Sequence, residues 1–174
     1  FERYAKNAGL NLKKMGSFTA AQTKKKDALR SRAKVGTAYM HQHAIDGRLG
    51  MILDSTARDT ARIESEAQSM RYLGYDTYMV FVNTTLEVAL KRNEMRPRSV
   101  PEPIVINSHR QIQKNIPKLR AIFGCKNFVE VDNSVEAEDV NIKVYKEIQK
   151  LVRSKPTSPM AQAWINNELA KKRR

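Results

Sequence analysis

Residues 50–56 read Gly-Met-Ile-Leu-Asp-Ser-Thr, and this stretch decides the predicted fold. Three bulky apolar residues run without a polar break into Asp54, as in a strand that is buried on both faces of a parallel sheet. In open α/β sheets, ligands bind beyond the carboxyl ends of the strands. A carboxylate at that edge is well placed to hold Mg²⁺, directly or through water, beside a nucleotide phosphate. The other interpretation is a surface strand whose terminal Asp54 caps the next helix.

The rest of the sequence alternates between helical and strand patterns. We predict helices at residues 1–9, 19–46, 57–73, 86–95, 104–123, 136–153 and about 160–172, and strands at 51–54, 75–82 and 127–132. This alternation predicts βαβ units and therefore an α/β fold with a parallel sheet flanked by helices. We expect one α/β domain over residues 1–154 and a basic C-terminal tail over 155–174.

Local signals fix several of the predicted helix ends. Thr19 is the expected N-cap of the long helix, and Asp46-Gly47 its C-terminal stop. Thr84 is the expected N-cap of helix 86–95, because Glu87 three residues later completes a capping-box pattern. Pro117 predicts a kink or a break in helix 104–123.

Composition limits the class of protein. The 174 residues, 41% hydrophobic and 29% charged, are typical of a soluble globular chain. No apolar run approaches the roughly 20 residues of a membrane span, so we expect no membrane partner. The single cysteine, Cys125, fits a reducing compartment, and we expect a cytoplasmic location. Nothing in the sequence indicates the oligomeric state.

Positive charge is concentrated at the two ends of the chain, whose net charge is +14. Residues 1–50 carry 11 basic and three acidic side chains, and residues 155–174 carry five and one. Basic ends favour polyanions such as nucleic acid or nucleotide phosphates, although a solvated surface is the alternative. The candidates for binding nucleic acid or another phosphate-bearing molecule are Lys24, Lys25, Lys26 and Arg30 in the first of these ends and Arg58 just beyond it.

A second basic cluster lies at the end of helix 86–95. Arg92 and Arg96 are four residues apart, so they share one helix face, and Arg98 follows in a proline-punctuated loop. Guanidinium groups suit phosphate because each offers two parallel hydrogen bonds and keeps its charge. An arginine on a mobile segment can neutralise charge that develops during phosphoryl transfer. The alternative is an exposed helix end that is stabilised by the helix dipole.

Three segments in this order resemble P-loop kinases: residues 50–59, the strand 75–82 with Asn83-Thr84-Thr85, and residues 92–101. The closest resemblance is to zeta-toxin-like kinases and the kinase domain of polynucleotide kinase, including small kinases of tailed phages. It covers roughly residues 45–135. It implies a three-layer P-loop kinase sandwich and a phosphotransferase that uses ATP and Mg²⁺. Through its phage members it also implies the cytoplasm of a bacterial or phage-infected cell.

The resemblance also implies roles for individual residues. Asp54 matches the acidic residue that closes the Walker-B-like strand and holds the metal. Arg92 and Arg96 match the lid arginines that contact the triphosphate. The remaining nucleotide-binding candidates are Thr56, Arg98 and, at the adenine pocket, Asn133. The long helix 19–46 lies where related kinases build the acceptor-binding region.

One family motif is missing from these 174 residues. Related kinases carry Gly-x-x-x-x-Gly-Lys-[Ser/Thr], whose backbone amides and lysine hold the phosphates, and none of the seven glycines here is arranged that way. We expect the P-loop strand, its helix and the strand with the catalytic aspartate to lie upstream of Phe1. A polypeptide that truly began at Phe1 would lack residues that act as a unit in catalysis.

Two functions from different classes follow. The first is a kinase whose acceptor is a nucleic-acid 5′-hydroxyl or an amino sugar of a nucleotide sugar. The second is an inactive kinase-like scaffold that holds nucleic acid, or a phage or protein partner, through its basic ends. An α/β domain with no nucleotide site is a third interpretation.

Overall fold

The computed structural model describes residues 1–96, 100–134 and 137–173. It divides into two compact units, a first unit of Phe1–Asp54 with Lys91–Pro101 and a second unit of Ser55–Leu90 with Glu102–Arg174. The elements in chain order are α1 (Glu2–Asn7), a 3₁₀ helix (Leu12–Ser17), α2 (Ala20–Asp46), α3 (Thr60–Tyr72), β1 (Met79–Asn83), α4 (Leu86–Met95), α5 (Glu102–Phe123), β2 (Phe128–Asp132), α6 (Ala137–Arg153) and α7 (Pro159–Lys172).

The first unit is built around the long helix α2. Thr19 begins it as predicted, because its hydroxyl accepts from the Gln22 backbone (3.2 Å) while the Gln22 side chain accepts from the Thr19 backbone (2.9 Å). The short helix α1 packs beside it, with Ala5 fully buried. Lys25 Nζ donates to the Ala8 carbonyl at the end of α1 (2.9 Å). All of α2 is described, and none of its residues is buried.

The sheet lies in the second unit, where β1 and β2 pair in parallel. Met79 stands opposite Phe128 and Asn83 opposite Asp132, so both strands end at one edge. Parallel neighbours need a long crossover, which α4 and α5 provide here. The predicted α/β class, a parallel sheet flanked by helices, is confirmed.

A small apolar core joins this sheet to α5. Leu119 of α5 is fully buried and packs with Ala57, Phe81 and Phe128. The rings of Phe81 and Phe128 stack with centroids 6.1 Å apart. Because Phe81 lies on β1 and Phe128 on β2, this contact fixes the side of the sheet that α5 covers.

The predicted strand at residues 51–54 is wrong. These residues have no regular secondary structure, and Ile52 and Leu53 are 92% and 47% exposed. Within the described residues the sheet is the β1–β2 pair, and no strand offers the backbone of 51–54 a hydrogen-bonding ladder. A strand of this kind is stabilised by its neighbours, so its apolar sequence alone does not hold it in a sheet.

Other predicted boundaries need smaller corrections. The helix expected from residue 57 begins at Thr60, and the strand expected from residue 75 begins at Met79. The cap of α4 is Thr85 rather than Thr84, because the Thr85 hydroxyl accepts from Val88 N (3.3 Å). The helix expected from residue 104 begins at Glu102 and continues through Pro117 without a break.

Within the second unit, the C-terminal helix α7 packs against the turn before β1. Thr157 donates to the Asp76 carboxylate twice, from its backbone (2.7 Å) and its hydroxyl (2.6 Å). Gly74 has φ +94°, and a side chain there would also meet Met160 at 3.4 Å. Glycine therefore lets the turn and the start of α7 approach. The 154/155 domain boundary stays a prediction.

Candidate functional site

Asp54 lies in a segment of the first unit without regular secondary structure, with its side chain exposed. Its carboxylate has no ion-pair or hydrogen-bond partner among the described residues. It does not cap α3, because that cap is Asp59, whose Oδ1 accepts from Arg62 N (3.0 Å). The described residues form no cluster of three or more metal-ligating side chains. Any cation at Asp54 would therefore be held by at most two such side chains of the described residues, together with water or ligand oxygens, an arrangement that suits Mg²⁺.

Arg92 and Arg96 belong to the same unit as Asp54. Arg92 lies half-buried in the last turn of α4, and Arg96 is exposed just beyond its end. Neither guanidinium has a carboxylate partner among the described residues, and neither forms a salt bridge with Asp54. Arg98 lies outside the described residues. The structure therefore places two uncompensated cations and one uncompensated carboxylate in one unit.

Asn93 closes the arginine-bearing loop. Its Nδ2 donates to the Val100 carbonyl (2.7 Å), and its Oδ1 accepts from the Val100 backbone (2.9 Å). A side chain that bonds both backbone groups of one residue mimics a strand partner and fixes the distance between the two ends of the loop. Arg96 lies between these two ends, so Asn93 limits where it can move.

Some basic side chains of α2 have a hydrogen-bond or ion-pair partner within the protein, and others have none among the described residues. Lys25 is bonded to the Ala8 carbonyl, and Lys26 forms an ion pair with Asp27 (3.1 Å). Lys24 and Arg30 are exposed and have no such partner among the described residues. Of the predicted acceptor-binding cations on this helix, these two have charges free for a ligand.

The segment after Asp54 forms a strained turn in the second unit. Ala57 has φ 57°, a left-handed conformation that costs a residue with a side chain about 1 kcal/mol or more. Ala57 is also buried, with 4% of its surface exposed. Buried Asn115 of α5 compensates by donating to the Ala57 carbonyl (3.0 Å) and the Arg58 carbonyl (2.8 Å). Thr56 and Arg58 flank this turn with exposed side chains, so α5 fixes the backbone that carries them.

The carboxyl edge of the sheet carries a second polar group of residues. Asn133 follows β2 and donates its backbone N–H to the Asn83 carbonyl (2.7 Å). Asn83 Oδ1 accepts from Gln113 (2.7 Å) and from Thr84 N (2.9 Å), while its Nδ2 donates to Glu130 (3.0 Å). Asn83 thus joins both strands and α5 at the edge where ligands bind in such folds.

The same edge is extended by Ser134, whose hydroxyl accepts from Thr85 N (3.0 Å) at the start of α4. Ser134 also donates its backbone N–H to Asp132 (2.9 Å), and its side-chain and backbone hydrogen bonds hold the pKa of that carboxyl below its ordinary value. His109 Nε2 lies 2.9 Å from the Thr84 carbonyl. These contacts hold the two strand ends in register while leaving Asn133 half-buried.

Three residues of this arrangement were missed by the sequence analysis: Asn83, Asn93 and Asn115. Asn115 had a readable signal, because a polar residue interrupts the apolar stripe of α5 between Ile112 and Leu119, and buried polar groups are almost always hydrogen-bonded. Asn83 and Asn93 gave no such signal, since asparagine after a strand or near a helix end is ordinary.

The sequence model of the zeta toxin family matches residues 16–155, which is most of the chain and includes every candidate site residue named above. No curated protein and no solved structure matches the chain.

Proposed function

The chain belongs to the zeta toxin family of P-loop kinase-like, nucleotide-binding phosphotransferases, and we propose that it transfers the terminal phosphoryl group of ATP to a hydroxyl acceptor. The resemblance to zeta-toxin-like kinases is confirmed, and the phage-like type stays a prediction. The observation that carries the proposal is the family match over residues 16–155, together with the lack of protein partners for Asp54, Arg92 and Arg96 among the described residues. Charged groups that the fold leaves unpaired are available to a charged ligand.

We assign Mg²⁺ to Asp54. Its exposed carboxylate is an oxygen ligand with no competing cation among the described residues, which fits the preference of Mg²⁺ for one or two carboxylates, waters and phosphate oxygens. A bound Mg²⁺ would neutralise charge on the phosphates. The role of Asp54 is to fix that charge beside the nucleotide.

The two arginines supply positive charge from the protein side. A guanidinium that forms two parallel hydrogen bonds to a phosphoryl group stabilises the negative charge on its oxygens in the transition state. Asn93 positions this segment through its two bonds to Val100. Arg98, two residues after Arg96 in the sequence, is proposed to assist.

The nucleotide is proposed to make two further contacts. Asn133 lies at the carboxyl edge of the sheet, and its half-buried side chain suits an adenine edge. The hydroxyl of Thr56 is exposed on the turn that Asn115 holds in place, and it suits a phosphate oxygen. A cytoplasmic location is proposed with this function, because ATP and a reduced Cys125 are both expected there.

The acceptor is proposed to be a nucleic-acid 5′-hydroxyl, with a nucleotide sugar as the alternative. The net charge of +14 favours the nucleic acid, because neutralising its phosphates releases counterions. Lys24, Arg30 and Arg58 are exposed cations available for such an acceptor.

The test is transfer of label from [γ-³²P]ATP by the full-length gene product to a 5′-hydroxyl oligonucleotide and to a nucleotide sugar. Arg96→Ala is expected to lower kcat at least about a hundredfold, as removal of a phosphate-neutralising arginine does. Arg110→Ala removes an exposed arginine from α5 and serves as the matched control with an unchanged rate. Transfer to neither acceptor would refute the proposed function, and an unchanged rate in Arg96→Ala would refute the lid assignment alone.

A further inference from the structure

A dense band of positive charge encircles α2. Between residues 24 and 34 there are six basic side chains and one acidic side chain, Asp27. Lys25 and Lys26 are engaged by the Ala8 carbonyl and by Asp27. The other four are exposed and have no carboxylate partner in the part of the chain that the structure describes: Lys24, Arg30, Arg32 and Lys34.

These four cations are distributed around the helix. Arg30 and Lys34 are four residues apart and share a face, Arg32 lies on the opposite side because two residues turn a helix by about 200°, and Lys24 lies between the two sides. The band is about 15 Å long at a rise of about 1.5 Å per residue. That length corresponds to about four phosphates along one strand of a duplex. A helix with cations on two sides can reach the phosphates on both rims of a major groove, which is about 12 Å wide and admits an α-helix.

The surroundings of α2 leave room for such a ligand. None of its residues is buried, and Val35, Tyr39 and Met40 are 56%, 66% and 74% exposed just beyond the band. The apolar residues are distributed around the helix rather than gathered on one face. A membrane-surface helix needs a wide apolar face, so a lipid surface does not fit. Tyr39 is the one Phe, Tyr or Trp of α2, too few for the stacking platform of a single-strand binder.

We infer that α2 is a binding surface for double-stranded nucleic acid, which it contacts through the phosphate backbone and without reading the base sequence. Contacts to phosphates dominate the affinity of such complexes. The four exposed lysine and arginine side chains would replace the counterions that the phosphates otherwise hold. The inference does not rest on the proposed phosphotransfer, because binding is measured without ATP. Its failure would leave the roles of Asp54 and the two arginines untouched.

The experiment measures fluorescence anisotropy of a labelled 20-base-pair duplex of arbitrary sequence over a series of salt concentrations. The test variant is Lys24→Gln, Arg30→Gln and Lys34→Gln combined. The matched control, Lys114→Gln, Lys126→Gln and Lys146→Gln, removes the same charge from exposed positions elsewhere. A charge-restoring variant, Lys24→Arg, Arg30→Lys and Lys34→Arg, checks that charge rather than side-chain shape matters, and circular dichroism checks that α2 remains helical.

The expected plot of log K against log salt has a slope of about −4 for the unaltered chain, from about 0.9 per phosphate contact. The test variant is expected to bind at least tenfold more weakly with a slope shallower by about three, since each phosphate-binding lysine or arginine removed reduces the slope by about one. The control and the charge-restoring variant should keep the steeper slope. Equal losses in test and control variants would overturn the inference, as would binding of polyglutamate or anionic vesicles by α2 in preference to the duplex.

Discussion

The carboxyl edge of the sheet and the two stretches of the first unit that carry Asp54, Arg92 and Arg96 are both polar, but only the sheet edge pairs its polar groups with other protein groups. At the sheet edge, Asn83 alone bonds Gln113, Glu130 and Thr84. In the first unit, the carboxylate and the two guanidinium groups have no partners among the described residues. Both regions lie within the zeta toxin match.

This difference distinguishes polar groups that stabilise the fold from charged groups that are available to bind a ligand. A polar group whose hydrogen bonds are satisfied within the protein holds elements in register, and removing it leaves its partners unsatisfied. An exposed charge without a partner contributes little to folding, so its loss is expected to change binding and not stability. Substitutions in the two regions should therefore have opposite effects on stability and on nucleotide binding.

Asn115→Ala is expected to have the largest effect on stability among the polar groups that hold the fold together. The substitution removes the donor from the buried Ala57 carbonyl and from the part-buried Arg58 carbonyl, and a buried group left unsatisfied costs about 1–3 kcal/mol. We expect the free energy of unfolding to fall by about 3 kcal/mol in urea titrations.

Gln111→Ala is its control on the same helix. Gln111 is exposed and makes one hydrogen bond, of 3.3 Å, to Asn115 Oδ1. Its loss should cost less than about 0.5 kcal/mol. Similar losses in both variants would show that the two bonds to the 57–58 turn do not stabilise it.

Asn93→Ala is expected to have a smaller effect, on the affinity for ATP. Without its two bonds to Val100, Arg96 samples more positions before ATP binds, and the cost of ordering it appears in the affinity. We expect the Kd for ATP to rise about tenfold, equivalent to about 1.4 kcal/mol. The free energy of unfolding should change less than in Asn115→Ala.

Glu94→Ala is the matched control, because Glu94 is the exposed neighbour of Asn93 and has no partner among the described residues. Its ATP affinity should be unchanged. An Asn93→Ala variant that binds ATP normally would remove the role of this contact in positioning the arginine.

Much of the fold follows from the sequence because local signals decide it. The Thr19 capping box and the Asp46-Gly47 stop set the ends of α2. Tyr75–Val82 and Asn127–Asp132 contain runs of β-branched and aromatic residues, which predict the two paired strands although each begins later than expected. These elements need little information from distant residues.

Residues 51–54 and the asparagine contacts depend on distant partners, which local patterns do not contain. The apolar run from Met51 satisfies every local rule for a buried strand and yet is exposed, because pairing is a tertiary property. The contact of Asn115 with Ala57 spans 58 residues of sequence. The roles of Asp54 and the two arginines rest on family resemblance and on their lack of partners, and they stay predictions.

The most direct test of the central claim is the Mg²⁺ dependence of ATP binding to full-length protein, measured by calorimetry for Asp54→Asn. The account predicts that Mg²⁺ tightens ATP binding to the unaltered protein and that Asp54→Asn loses most of this effect without a change in thermal stability. Asp59→Asn is the control, since asparagine caps helix α3 as well as aspartate does. If Asp54→Asn keeps the full Mg²⁺ effect, Asp54 does not hold the metal and the account is contradicted.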